Sequence, residues 1–483
     1  MLLKSISILA AGRTTIAALN FARNILLARL ISVEDYGIAS TFIVALSLVE
    51  LAGDLALDRM IVQDRQGNSR RFVGTIQALM LGRGILLTAL LYVIAEPIAH
   101  IFNHPELTWA YQAFAILPFI TSLLHMDVMR QQRDMSFGAL VMAEASGAAL
   151  SLLAVWPLAI LLKDFRVILA ALFLDQVVRA AASHLLARRS FAIAWDTEVF
   201  KKALKFGVPL MVAGMVNFAI LQGDRIVIGN QFTARDLGLF SAALTLAMTP
   251  SLITARIAQT FFLPLLAKIQ DNTAKFEIQA AISLQAMICF AGFACFCFAA
   301  IGEPLFRVLF GPKLAEAAYL VTPLGIAFAI RLARVGPTTC ALSKGHTLNV
   351  MMANLVRLFT LPIAFFAVLQ GGTMLDVALI SVVGEILSLA LATLLLYWRS
   401  KVIAPARMLS VYALGGIFIL TLILPITFDF HRFWPVTGST VVLALMVFAC
   451  RDLRQFTLTY LKEFLRNRRA KTRGTIVVPD NQP

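Results

Sequence analysis

The residues able to do chemistry in this sequence are charged side chains set inside long apolar runs. Arg13, Arg23, Arg83, Arg256, Arg331 and Arg357 each interrupt a stretch otherwise rich in Val, Ile, Leu, Phe and Ala, and so do the carboxylates Glu50, Asp54, Glu144, Asp224 and Glu385. A guanidinium presents a planar fork of donors that matches phosphate oxygens two at a time, so these arginines facing one hydrated cavity would bind a phosphate or diphosphate. The five carboxylates are the candidates for coupling, by taking up and releasing charge. Neutral side chains suited to line such a cavity are Asn20, Asn24, Asn217, Thr245, Thr249, Gln259 and Asn354. The competing reading is structural: the arginines pair with the carboxylates and hold helices together, or snorkel to an interface. No P-loop, dinucleotide fingerprint or nucleophile elbow occurs, so no catalytic residue is assigned and energy is not drawn from ATP on this chain. His100 and His104 lie beside Asn103 and Pro105 in a loop, and no metal or other cofactor is expected; coupling to protons or to sodium stays open.

The elements that must position these groups are membrane spans. Of 483 residues, 59% are hydrophobic and 14% charged, and the mean hydropathy is +0.82, which marks an integral membrane protein. Apolar stretches of about 20 residues recur along the chain, the length a helix needs to cross a bilayer. They are continuous and do not alternate, which favours helices over a barrel. The pattern predicts an all-α polytopic protein with about fourteen spans, over 6–30, 37–58, 74–98, 108–127, 138–162, 166–187, 206–229, 237–261, 279–301, 315–334, 347–369, 375–398, 409–427 and 434–450. Basic residues gather on alternate connections, among them Arg70 and Arg71, Arg130 and Arg133, Arg188, Arg189, Lys201 and Lys202, and Arg399 and Lys401. That asymmetry puts those connections and both termini on the cytoplasmic side. The net charge of +15 is therefore topological, and no nucleic-acid partner is expected. The opening MLLKSISILAAGRTT reads as a retained first helix, and the five cysteines as buried thiols.

An internal repeat organises the spans. EPIAHIFNHPELTWA at 96–110 aligns without gaps to EPLFRVLFGPKLAEA at 303–317; NFA recurs at 20–22 and 217–219, and EDYG at 34–37 resembles RDLG at 235–238. Two six-helix halves in the same orientation follow, with the substrate site expected between them, as in transporters built from parallel repeats. The domains are an N-lobe at 1–190, a cytoplasmic linker at 191–205, a C-lobe at 206–400, two further helices at 401–450, and a basic cytoplasmic tail at 451–483. That tail could form an amphipathic helix over 454–474 on anionic lipid.

The seventh span shows what its charges cost. Its Val, Ile, Leu and Phe residues supply roughly −3 to −7 kcal/mol of insertion energy, while Asp224 and Arg225 cost about +5 to +7. Asp224 falls on the face of Asn217 and Arg225 about 100° away, because adjacent helical residues do not face each other. Asp224 is therefore expected to pair with another helix or titrate, and Arg225 to find its own acidic partner or the interface. Ser47, Glu50 and Asp54 form an acidic stripe on the second span, and Asp175 with Arg179 is expected to be a structural pair.

ARLISVEDYGIAS at 28–40, RQQRDMSF at 130–137, GDRIVIGNQFTARDLGLFSAALTL at 223–246, FFLPLLAKIQDN at 261–272 and EPLFRVLFGPKLAEAA at 303–318 carry a resemblance in their joint order. They resemble the bacterial polysaccharide exporters and lipid-linked oligosaccharide flippases (O-antigen, Wzx-type) of the multidrug/oligosaccharidyl-lipid/polysaccharide superfamily. The resemblance implies two lobes in a V that alternate between inward-open and outward-open states. It implies a polyprenyl-diphosphate-linked oligosaccharide as substrate, moved across the bacterial inner membrane for exopolysaccharide, capsule or O-antigen synthesis. Membrane lipid, a polysaccharide polymerase and export machinery are the implied partners. Cavity arginines act in such relatives, which carries that role to Arg13, Arg23, Arg256 and Arg357, and the last two spans look like a pair that helps form a groove for the lipid tail. A multidrug efflux antiporter of the same superfamily is the alternative, though twelve helices and an acidic cavity would suit it better. A membrane glycan polymerase or ligase is the other, and would need a larger outer loop than any here.

Overall fold

The computed structural model describes residues 2–428, 434–455 and 457, and no strand occurs among them. The helices are α1 (Leu2–Leu30), α2 (Val33–Ala52), α3 (Leu57–Gln63), α4 (Arg70–Ile101), α5 (Thr108–Phe114), α6 (Leu117–Ser122), α7 (Asp127–Arg130), α8 (Gly138–Leu162) and α9 (Arg166–Leu186). There follow α10 (Thr197–Gln231), α11 (Ala234–Lys268), α12 (Thr273–Phe310), α13 (Ala318–Ser343), α14 (Thr347–Leu369), α15 (Met374–Trp398), α16 (Ala404–Arg407), α17 (Leu409–Phe428) and α18 (Trp434–Ala449). The tail expected at 451–483, with its amphipathic helix, lies from 458 onward outside the described residues.

Helix occupies every stretch that the hydropathy pattern marks, and α8 and α14 match theirs residue for residue. Nine helices among the described residues are long and apolar enough to cross a membrane, or ten if the bent run Pro105–Ser122 with Asp127–Asp134 is one span. The second and fourth stretches are broken. After α2 ends at Gly53, Asp54 Oδ1 accepts the Ala56 N–H at 2.7 Å and Ala56 turns left-handed at φ 50° before α3 resumes. Asp54 thus sits in a turn and not on a helical stripe with Ser47 and Glu50, which corrects the sequence expectation.

The repeated motifs fold alike. Ser32 Oγ accepts the Asp35 N–H at 3.0 Å to cap α2, and Thr233 Oγ1 accepts the Asp236 N–H at 3.2 Å at the matching point of the second half, where α11 begins. The two EP-containing segments each end a long helix and continue into a 3-10 turn, Pro105–Leu107 and Pro312–Ala317, where proline begins the turn without needing a donor.

Packing divides the chain into two compact units, one of residues 1–253, 301–327 and 354–384, the other of 254–300, 328–353 and 385 onward. This cut is different in kind from the lobes expected from the repeat, because its borders fall inside α11 to α15. In the first unit α8 packs against both α1 and α9, and α10 lies along α2. The same unit joins repeat-related ends: a Cβ at Gly37 would collide with the Ala234 carbonyl, and one at Gly238 with the Val33 carbonyl. Around this contact Arg29 Nε donates to the Leu309 carbonyl at 2.6 Å, occupying an orphan acceptor at the end of α12. Asn103 Nδ2 donates to the Asn230 carbonyl at 2.8 Å, and Asn230 Nδ2 to the Ile101 carbonyl at 2.7 Å. The second unit is centred on Phe276, Leu284, Cys340, Leu396, Met408 and Met446.

The glycine pair sets how closely α2 and α11 approach. Valine at Gly37 or Gly238 should force the two apart and raise impermeant-maleimide labelling of a cysteine placed at Asn230 several-fold, in a background without the five native cysteines. An unchanged labelling rate would show that these glycines do not set the contact.

Candidate functional site

In the first unit the polar residues of α1, α8 and α9 converge. Glu144 on α8 is bracketed by two guanidinium groups, Arg13 Nη1 at 2.6 Å and Arg179 Nη2 at 2.9 Å. Arg23, buried, donates to Asp175 Oδ2 at 3.1 Å and to Ser151 Oγ at 2.9 Å. The expected pairing of Asp175 with Arg179 is therefore replaced by two pairs that cross to other helices. The reason is a close helix contact: at Gly147 of α8 the missing side chain lets the Asp175 and Arg179 turns of α9 come near enough for their charges to reach past it. The side-chain oxygens of Asn20 and Asn24 lie nearby on α1, buried and without a hydrogen-bond partner.

Glu50 and Arg83 have a different setting. They line one small cavity with Pro118, Thr121 and Ser122, and neither makes an ion pair within 4.0 Å among the described residues. Among the described residues Arg83 Nη1 has only the Met80 sulfur at 3.9 Å, and its buried Nε has no hydrogen-bond partner. Asp54, by contrast, is taken by Arg59 at 3.6 Å.

Asp224 pairs across to α14. Its carboxylate receives Arg357 Nη2 at 2.9 Å and Ser381 Oγ at 2.9 Å, and Arg357 Nη1 donates to Thr360 Oγ1 at 2.6 Å. Gly384 makes room, since a Cβ there would press on Thr360 and on the Arg357 stem. Arg225 differs from expectation: it is buried at 3% exposure, and its hydrogen bonds go to neutral oxygens, Gln222 Oε1 at 2.8 Å, Thr245 Oγ1 at 3.1 Å and Ser241 Oγ at 3.3 Å. Gln222 in turn donates to Ser47 at 2.9 Å. The carboxylate next in sequence is committed to the opposite face, so hydroxyl and amide dipoles solvate this guanidinium instead. Thr245 is thereby a ligand of Arg225, and Thr249 donates to the Thr245 carbonyl. Asn217 is exposed and Asn354 half-buried.

In the second unit Glu385 on α15 sits between Arg331 Nε at 3.7 Å and Arg334 Nη2 at 3.4 Å, both on α13. Arg256 and Gln259 are exposed on α11. The second unit also holds an apolar groove of about 620 Å³, walled by α12, α13, α15 and α17 with Met446 of α18, where Gly415 and Gly416 face open space. Its polar lining is small, chiefly Thr393, whose hydroxyl meets the Tyr412 hydroxyl at 3.4 Å.

Some residues that organise the charged sites carry no periodic signal. Arg179 reads in the sequence as a pair with Asp175 four residues away, and Arg225 as a charge inside a span, neither with the partners it has. In RQQRDMSF, Arg130 Nε binds the buried Asp127 at 2.6 Å, and Arg133 Nη1 donates to the Ile61 carbonyl at 2.7 Å and the Val62 carbonyl at 3.0 Å. That motif ties α3 to α7, a structural role that basic residues on a loop do not announce.

This is the helical fold of polytopic membrane transporters. An inward-facing multidrug resistance transporter of the MATE family, MOP superfamily, superposes with a TM-score of 0.65 at 13% identity, over 82% of this chain and 99% of that one. The lipid II flippase MurJ, in an inward closed conformation, does so with 0.65 at 12% identity, over 94% and 100%. The chain belongs to the polysaccharide biosynthesis protein family, which it matches over residues 26–319. It is similar to the succinoglycan biosynthesis transport protein ExoT of Rhizobium meliloti, 23% identical over 63% of this chain and 62% of that one. The lipopolysaccharide biosynthesis protein WzxC of Escherichia coli is 23% identical over 56% and 55%, and the teichuronic acid biosynthesis protein TuaB of Bacillus subtilis 21% over 72% and 72%. The alignments thus span less than two thirds of the lengths of ExoT and WzxC.

Removing one member of a buried ion pair strands the other. Arg357→Ala should destabilise the protein by about 3–5 kcal/mol. Arg357→Met combined with Asp224→Asn should recover most of that loss, as read by thermal unfolding in detergent. Equal losses in the single and double variants would show that the pair is not the source of the cost.

Proposed function

We propose that the protein is a flippase that moves a polyprenyl-diphosphate-linked oligosaccharide from the cytoplasmic to the outer leaflet of the bacterial inner membrane by alternating access, and that it is not an enzyme. The observation that carries this reading is the apolar groove of the second unit, in a chain of the polysaccharide biosynthesis family. Family membership favours it over drug efflux. A polyprenyl tail would lie in that groove, against Ile288, Leu389, Leu394 and Phe418, while the diphosphate and sugars travel among the polar residues. The topology proposed with it has fourteen spans and both termini in the cytoplasm.

The ion pairs sort the arginines by role. Arg23, Arg331 and Arg357 hold carboxylates on neighbouring helices. Arg83 and the exposed Arg256 have no carboxylate within 4.0 Å among the described residues and are offered to the diphosphate; Arg13, with 46% of its side chain exposed, can share Glu144 with Arg179 and reach substrate as well. Among the coupling candidates Glu144, Asp224 and Glu385 are each held by a guanidinium. Glu50 has neither an ion pair nor a hydrogen bond among the described residues, and we assign the transported proton to it. Polymerase and export proteins act downstream of this step.

Tryptophan at Gly416 fills the groove from a position with open space, so it should cut export at least tenfold without lowering thermal stability. Depleting the protein should leave the lipid-linked oligosaccharide on the cytoplasmic leaflet. Unpolymerised glycan on the outer leaflet would instead make the protein a polymerase or act after flipping.

A further inference from the structure

The first unit contains a second apolar groove, of about 660 Å³, that the proposed function leaves unused. Its walls come from α2 and α3, from α4, and from the first half of α10, with Trp195 of the preceding linker at one end. Leu86, Leu90 and Met215 along it are exposed, at 67%, 51% and 51%. Gly82 opens into it with no atom within 4 Å. Its single charged lining residue is Arg83, roughly 20 Å along α4 from Arg70. The same side chain lines the small cavity that Glu50, Thr121 and Ser122 also border. One guanidinium therefore borders both an apolar groove and a cavity that holds a carboxylate and two hydroxyls, with a buried Nε that has no hydrogen-bond partner among the described residues.

We propose that this groove is a second lipid site, in which Arg83 holds the phosphate of a long-chain polyprenyl lipid whose tail lies along Leu86, Leu90 and Met215. The proposal rests on the flippase reading and adds to it a second lipid-binding site in the first unit. Charge complementarity selects the occupant. A wholly apolar chain would leave the guanidinium unanswered, and a soluble phosphate would leave the apolar walls unfilled; a lipid phosphate answers both. Mid-depth phosphate is out of place for a resident bilayer lipid and natural for one in transit.

Carboxylates tune the site. Glu50, Asp54 and Asp58 all act on Arg83, and Glu50 is itself faced by Arg83 on α4 and by Arg179 and Asp175 on α9. Asp54 is engaged by Arg59 and by the Ala56 N–H, and of the three only Glu50 lines the cavity that Arg83 also lines, so Glu50 is the carboxylate that a bound phosphate must tolerate. A proton on Glu50 removes that repulsion, so lipid capture and proton uptake support each other.

The test uses the purified full chain and a polyprenyl phosphate carrying a diazirine near the end of its tail, with cross-linked peptides mapped by mass spectrometry. Cross-links are expected on α4 and the first half of α10 as well as on α17. Gly82→Trp should reduce the α4 and α10 cross-links at least tenfold while sparing those on α17, with unchanged thermal unfolding. Arg83→Gln should reduce them several-fold, and Glu50→Gln should raise them several-fold. Cross-links confined to α17, or an α4 signal indifferent to Gly82→Trp, overturn the second site and leave the flippase reading standing. Absence of cross-links in both grooves overturns both.

Discussion

A charge placed in hydrocarbon must be answered by another helix, and the fold of this protein follows from how its charges are answered. Each arginine or carboxylate at mid-span costs about 2.5–3.5 kcal/mol on insertion, enough to bring a helix such as α10 near break-even by itself. The helices therefore cannot be independent apolar rods. Glu144 draws α1 and α9 onto α8, Asp175 binds α9 back to α1, and Asp224 fixes α10 to α14 and α15. Glycines at the crossings, Gly147 and Gly384 among them, give these short polar links room to form.

The same accounting separates structure from chemistry. Where a guanidinium has a carboxylate across a helix interface, its charge is spent on assembly, and replacing it reports mainly on folding. Where it has none, the charge is available to a ligand. Arg225 is the intermediate case, a buried cation dispersed over an amide and two hydroxyls from its own hairpin. Such a site keeps α10 and α11 in register without a formal pair, and Ser47 of the first repeat supports it by accepting from Gln222.

Apolar surface is arranged with equal specificity. Both grooves are bordered by glycines that open them, Gly415 and Gly416 in one and Gly82 in the other. Under the proposed function, the long tail of an amphiphile would fill grooves of this kind.

By itself the sequence determined a membrane-spanning helical chain, the positions of the helices, the motifs that recur at helix ends and the inventory of charged residues. Those properties are local: hydropathy over a helix length, proline and cap chemistry at the ends, and charge type are written in consecutive residues. It also placed Asp224 in a pairing across helices, because adjacent residues on a helix cannot face each other. Tertiary structure alone decided who answers whom. Arg179 turned from Asp175 to Glu144 because a glycine on the next helix let the backbones close, and Arg225 was left to neutral oxygens because its neighbour's carboxylate points to the other face. Asp54 left the helix at a turn that Gly53 and a left-handed Ala56 create. These outcomes depend on contacts between helices and on one local turn, with Arg179 reaching Glu144, 35 residues away, and Arg225 reaching Thr245, 20 residues away, which periodicity along the chain does not encode.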